Sequence, residues 1–193
     1  MITEWLDFRM IFLILHIFGV VLGAGAAYTG DAIFLTSVRK KLLTASEVRI
    51  FKITGNVVWL GLLIAVISGI GLVLQRPEIF LYSEKLWAKI TIIGIIAANG
   101  IIFHVMHRST LERSIGKKFL LTSEIINKRR GIVISGAISV VSWSFVIILG
   151  TLGRTPFTYF QFIGAYALVL ILACLTATYL EKVIISPGLT DKS

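Results

Sequence analysis

Five long apolar stretches constrain what this chain can fold into more than any other feature. They cover residues 10–36, 54–74, 86–106, 131–152 and 157–180, and each is close to or longer than the roughly 20 residues a helix needs to cross a bilayer core at about 1.5 Å rise per residue. The runs are continuous rather than alternating, so they read as helices. An open sheet in lipid would leave its edge groups unbonded. Composition agrees, since 56% of the 193 residues are hydrophobic and only 15% charged, where soluble domains carry about a quarter charged. The expected fold is all-α, an integral membrane bundle of five transmembrane helices forming one domain over 1–193.

The first stretch is expected to be a retained helix and not a cleaved signal. Glu4 and Asp7 offset Arg9 at its start, whereas a signal peptide begins positive and has a shorter apolar core. Cys174 stands alone within the fifth stretch, which gives neither a disulfide framework nor a Cys-rich metal site.

Charge in the connections sets the expected orientation. Arg39, Lys40, Lys41, Arg49 and Lys52 lie in or beside the first connection, and Arg108, Arg113, Lys117, Lys118, Lys128, Arg129 and Arg130 in the third. In the second, Arg76 and Lys85 are balanced by Glu78 and Glu84, and the fourth is a short turn with Arg154 and Pro156. The first and third connections are therefore expected in the cytoplasm, with the N-terminus outside and the C-terminus, with Lys182 and Lys192, inside. The formal charge of +9 is mostly this topology signal. The expected partners are the lipid bilayer and anionic lipids at the cytoplasmic connections, with no nucleic acid. Ahead of the second span, Thr44-Ala45-Ser46-Glu47 carries capping residues and predicts a helical extension on that side.

The first span holds the most information. At about 100° per residue, Gly19, Gly23, Ala27 and Gly30 fall within about 60° of His16, with Asp31 on the same side. Gly19-x-x-x-Gly23 is a spacing that lets another helix approach closely, so this face is expected to look into the bundle. An ionisable group in a span is costly and marks function by default. His16 reads either as a packing histidine bonded to a neighbour or as a ligand or proton-handling group.

Further along, Asn56 and Trp59 share a face near the cytoplasmic end of the second span. Ser68, Gly69 and Gly71 read as close packing, and Gln75-Arg76-Pro77 stops the helix. The third span opens with Trp87 and Lys89 and closes with Asn99-Gly100 and with His104 and His107, which would hold a metal only with further ligands. In the fourth, Ser135, Ser139 and Ser142 line one face beside Trp143, a pattern usual for helix packing. The fifth carries Gln161, Tyr166, Thr176 and Thr178, with Tyr159 and Tyr179 at its edges as interfacial residues. No nucleophile has a paired base, and there is no glycine-rich phosphate loop.

The polar groups thus fall into two layers. His16, Lys89, Ser142 and Trp143 lie toward the outside, while Asp31, Asn56, Asn99 and His104 form an inner polar cluster. Counted along the helices, His16 is about 9 Å deep and His104 about 27 Å deep from the same side, so the two are not expected to clamp one iron.

Leu15-His16-Ile17 with the small residues after it, Phe51-Lys52, and Leu86-Trp87-Ala88-Lys89 together resemble the small bacterial membrane proteins of the CopD and HemJ type, over the first three spans. That resemblance implies residence in a bacterial inner membrane. It also implies a haem-binding oxidase in the HemJ case, or a role in copper uptake in the CopD case, with His16 and Lys89 matching the first-helix histidine and third-helix lysine. Two histidines of the HemJ type are replaced here by Ala88 and Asn99. The expected function is a membrane-embedded haem- or metal-binding protein with a redox or metal-handling role. In that reading His16 ligates haem b or a copper ion, and Lys89 and Trp143 assist cofactor binding. The alternatives are a small ion or solute transporter or channel built on the inner cluster, and a structural subunit that associates with another membrane protein or a second copy.

Overall fold

The computed structural model describes residues 8–39, 44–106, 113, 115, 123–153 and 155–185. Among the described residues there are six α-helices: α1 Phe8–Arg39, α2 Ala45–Gln75, α3 Pro77–Phe80, α4 Glu84–Met106, α5 Ser123–Thr151 and α6 Tyr159–Leu180, the last continuing into a π-turn at Glu181–Ile185. Five of them, all but the single turn α3, carry segments long and apolar enough to cross a membrane. Glu4, Asp7, Lys40, Lys41, His107, Arg108, Lys117, Lys118, Thr122, Arg154 and Lys192 lie outside the described residues.

The local signals for the helix limits hold. Thr44 caps α2, its Oγ1 accepting from Glu47 N while the Glu47 carboxylate accepts from Thr44 N at 2.9 Å, which is why α2 begins well before its apolar core. At the other end α2 stops at Gln75, and Pro77 takes the first position of α3, where its missing N–H costs nothing. The same capping box recurs at α6, where Thr158 pairs with Gln161.

The closest helix pair is α1 with α2. Gly19 and Gly23 meet Gly61 and Ala65: a Cβ at Gly61 would stand 2.7 Å from both Gly19 O and Gly23 Cα, and one at Gly19 would stand 2.6 Å from Ala65 N. The backbones touch because hydrogen atoms stand where side chains would, the packing that replaces the hydrophobic effect between helices in lipid. Toward the start of α1, the Phe12 ring lies over Gly71.

The second organising element is α5, whose serine face bonds a different neighbour at each position. Ser135 Oγ donates to Asn99 Oδ1 (2.9 Å) and Asn99 Nδ2 donates to Ser135 O (3.0 Å), which ties α4. The Ser139 side chain meets the Asp31 carboxylate on α1, the two lining one cavity. Ser142 Oγ and Tyr166 Oη are 2.8 Å apart, which ties α6. Ser144 adds a second link to α1 through Tyr28 Oη at 2.9 Å. Around these bonds Trp143, Leu149, Ile92, Ala88, Phe162 and Tyr166 form the buried core.

At the end where α4 starts, Lys85 Nζ donates to the carbonyls of Leu152 and Gly153, which close α5, and Glu84 accepts from Tyr159 N, which opens α6. Side chains such as Val21, Leu63, Leu74, Phe160 and Leu175 point away from the bundle, as expected for surfaces that face hydrocarbon chains.

Candidate functional site

A cavity of about 150 Å³ lies among α1, α2, α4 and α5, toward the end of the bundle where α1 finishes. Four residues read from the sequence as the inner polar cluster, Asp31, Asn56, Asn99 and His104, all line it. They arrive there from three helices. Asp31 follows Gly30, which packs on Thr54 of α2 (3.3 Å from its Oγ1 to a Cβ built at Gly30). Gly136 leaves the space on α5 that the Asp31 carboxylate occupies, Oδ1 standing 3.4 Å from where a Cβ would be.

Asp31 is the exceptional group. Ser139 lies beside its carboxylate, but Oδ2 is buried with no hydrogen-bond partner. Leaving a buried acceptor unpaired costs about 1–3 kcal/mol, more for a charge, so the Asp31 carboxylate, which keeps one oxygen unbonded on a side chain that lines the cavity, favours a donor or a cation beside it. Asn99, by contrast, is committed to Ser135 through both ends of its amide and shapes the wall. Asn56 and His104 are more exposed than Asp31 and Asn99.

The remaining lining is largely aromatic and apolar. Phe34 and Phe51 stand 6.4 Å apart, centroid to centroid, with planes tilted by 58°, and Trp59 and Phe103 complete the aromatic lining. Trp59 reaches across from α2 to Gly100 of α4, a Cβ there standing 3.1 Å from its Cζ2. Lys52 borders the same cavity. Sequence reasoning placed Asn56 and Trp59 on one face but gave Phe34, Phe51, Phe103 and Ser139 no part in a site. Phenylalanine is common in any span, and only tertiary packing separates a lining ring from a lipid-facing one.

The outer layer is arranged differently. His16 Nδ1 lies 2.8 Å from Ala65 O; since a carbonyl only accepts, Nδ1 carries the proton and Nε2 holds the lone pair. Ser68 Oγ is 3.4 Å from the same nitrogen and bonds the carbonyls of Ile64 and Ala65, while the imidazole Cε1 rests against Gly69. The half-buried Lys89 ammonium is near enough to act electrostatically on the imidazole. Trp143 is 2% exposed and its ring fills the space over Gly23, so it packs the core about 10 Å along α1 from His16.

Of the groups that resemblance implies, a haem would find one axial nitrogen in His16. No group of three or more His, Cys, Asp and Glu side chains that could hold a metal ion comes together among the described residues, so His16 gains no such co-ligand set for copper. His104 lies at the opposite end of the bundle, as counted from the sequence, and His107 is outside the described residues. No protein-family profile, no curated protein and no solved structure matches the chain.

Proposed function

We propose that this chain is a small transporter or channel that takes an ion or small solute into the cavity around Asp31. One observation carries the reading: an aspartate whose carboxylate keeps a buried oxygen without a partner lines a cavity inside a membrane-spanning bundle. An ionisable side chain within a span is expensive, and such groups typically mark an ion or substrate path. The charge distribution in the connections supports an orientation with the N-terminus outside, which puts the Asp31 end of the cavity toward the cytoplasm. The resemblance over the first three spans supports a bacterial inner membrane as the location, and the basic flanks of the spans support contact with anionic lipid. The test is proton or cation flux into liposomes containing the purified protein. Flux is expected to vanish in Asp31→Asn, and undiminished flux in that variant overturns the reading.

A second reading keeps His16 as a haem ligand in a protein of the CopD and HemJ type. It is favoured by the bond from His16 Nδ1 to Ala65 O, because metal-ligating histidines regularly anchor their other nitrogen on a carbonyl. Bound, a haem would supply one-electron redox chemistry, and His16 would orient it. Its test is the absorption spectrum of the detergent-purified protein. A Soret band lost in His16→Ala is expected, and a wild-type protein with neither Soret band nor bound iron or copper overturns it.

A further inference from the structure

The chemistry of the cavity narrows what it would hold, and this step rests on the transport reading of the same site. Among the described residues Asp31 is the one acidic residue that lines the cavity, and its carboxylate keeps an oxygen without a hydrogen-bond partner, so the partner it calls for is a hydrogen-bond donor or a cation. Around it the other side-chain oxygens, those of Thr54, Asn56, Asn99, Ser135 and Ser139, are all neutral, and Asn99 Oδ1 already accepts from Ser135. A hard inorganic cation such as Ca²⁺ takes about 6–8 oxygen ligands, and Mg²⁺ needs an octahedron of them. No group of three or more His, Cys, Asp and Glu side chains that could hold such an ion comes together among the described residues. What the cavity offers instead is aromatic surface from four rings, Phe34, Phe51, Trp59 and Phe103. Aromatic faces attract a cation whose charge is spread over carbon-bound hydrogens, the arrangement used to recognise quaternary ammonium groups.

We infer that the cavity is a binding site for a small organic cation, an alkylated ammonium whose charge is met by Asp31 and whose methyl groups lie against the aromatic lining. Its volume of about 150 Å³ falls below the roughly 300–1,000 Å³ of drug-sized pockets, which suits a compact head group. Lys52 and His104 border the same cavity, four and five residues along their helices from Asn56 and Asn99, or about 6–8 Å toward the helix ends.

The test is titration calorimetry of the full-length protein in detergent with choline, against its uncharged isostere 3,3-dimethylbutan-1-ol, in which carbon replaces the quaternary nitrogen. Saturable binding of choline with no heat from the isostere is expected. Asp31→Asn should weaken choline by about tenfold or more by removing the countercharge, and Trp59→Leu or Phe103→Leu by about three- to tenfold through loss of ring contact. Equal binding of choline and isostere overturns the inference, as does unchanged choline affinity in Asp31→Asn. If Asp31→Asn does not fold, judged by its helical circular dichroism, the wild-type contrast and the ring variants decide alone. Heat from sodium chloride with none from choline also overturns it, since the site is then inorganic. Cation flux that depends on Asp31 without choline binding overturns this inference and leaves the transport reading standing. Choline binding without flux supports the inference and removes the transport reading.

Discussion

Gly61 shows how much one hydrogen atom can hold in a membrane bundle. Its Cβ position is occupied by the backbone of α1, and backbone cannot rotate away as a side chain can. Gly61→Ala is therefore expected to push α1 off α2 and to destabilise the protein by about 1–3 kcal/mol, the usual cost of overpacking. Gly25→Ala, with nothing within 4 Å of its Cβ position, should leave the thermal melt in detergent unchanged. A second expectation at this scale concerns Ser142 and Tyr166, both buried and 2.8 Å apart. A double-mutant cycle on Ser142→Ala and Tyr166→Phe should return a coupling of about 0.6 kcal/mol and at most about 1.7, the range for such bonds between membrane helices. Of the α1–α2 contact, the sequence showed Gly19 and Gly23 by their spacing. Gly61 has the same spacing to Ala65, yet on α2 the cluster of Ser68, Gly69 and Gly71 stands out instead, and which small pair meets Gly19 and Gly23 is set only by the register of the two helices.

Among the elements, α5 decides how the others are arranged. Its serines at 135, 139 and 142 were readable as one face, since their spacing follows the helical repeat. Their partners Asn99, Asp31 and Tyr166 come from three separate helices, and no periodicity within one span reports where another span sits. Asn99→Leu tests this role. It removes both hydrogen bonds to Ser135 and leaves the Ser135 hydroxyl, buried at 5% exposure, without its partner on α4. The variant is expected to lose about 1–2 kcal/mol and to melt earlier than wild type, whereas Val105→Ala, 70% exposed on the same helix, should not. The limits of the helices were more legible than their neighbours. The Thr44–Glu47 and Thr158–Gln161 boxes and the stop at Pro77 are local chemistry and act within four residues.

For the molecule as a whole, the five apolar stretches gave the fold class directly, because lipid admits so few ways of satisfying a backbone. They did not give the packing order. In a soluble bundle the buried stripe of each helix stands out against a polar face, but here both the interior and the surroundings are apolar. Only small residues and scattered polar groups mark the inside. That is also why the inner polar cluster was visible: Asp31, Asn56, Asn99 and His104 are out of place in lipid, and four helices close around them. The ring lining of the cavity was invisible for the converse reason.

The closeness of α1 and α2 has a consequence for how the protein is made. The two helices that touch most intimately are consecutive in the chain and precede α4, α5 and α6, so the bundle's tightest interface can form before those three are made. Contacts near in sequence form early, and chains generally fold from the N-terminal side during synthesis. The α1–α2 hairpin is thus expected to assemble as a template on which the later helices dock through the α5 serines. A fragment ending at residue 76, expressed alone in membranes, should cross-link cysteines placed at His16 and Ser68, as the full chain should, given that these side chains meet at 3.4 Å, and should not cross-link cysteines placed at Gly25 and Leu63. Loss of that cross-link in the fragment would show that α1 and α2 need the rest of the bundle to find each other.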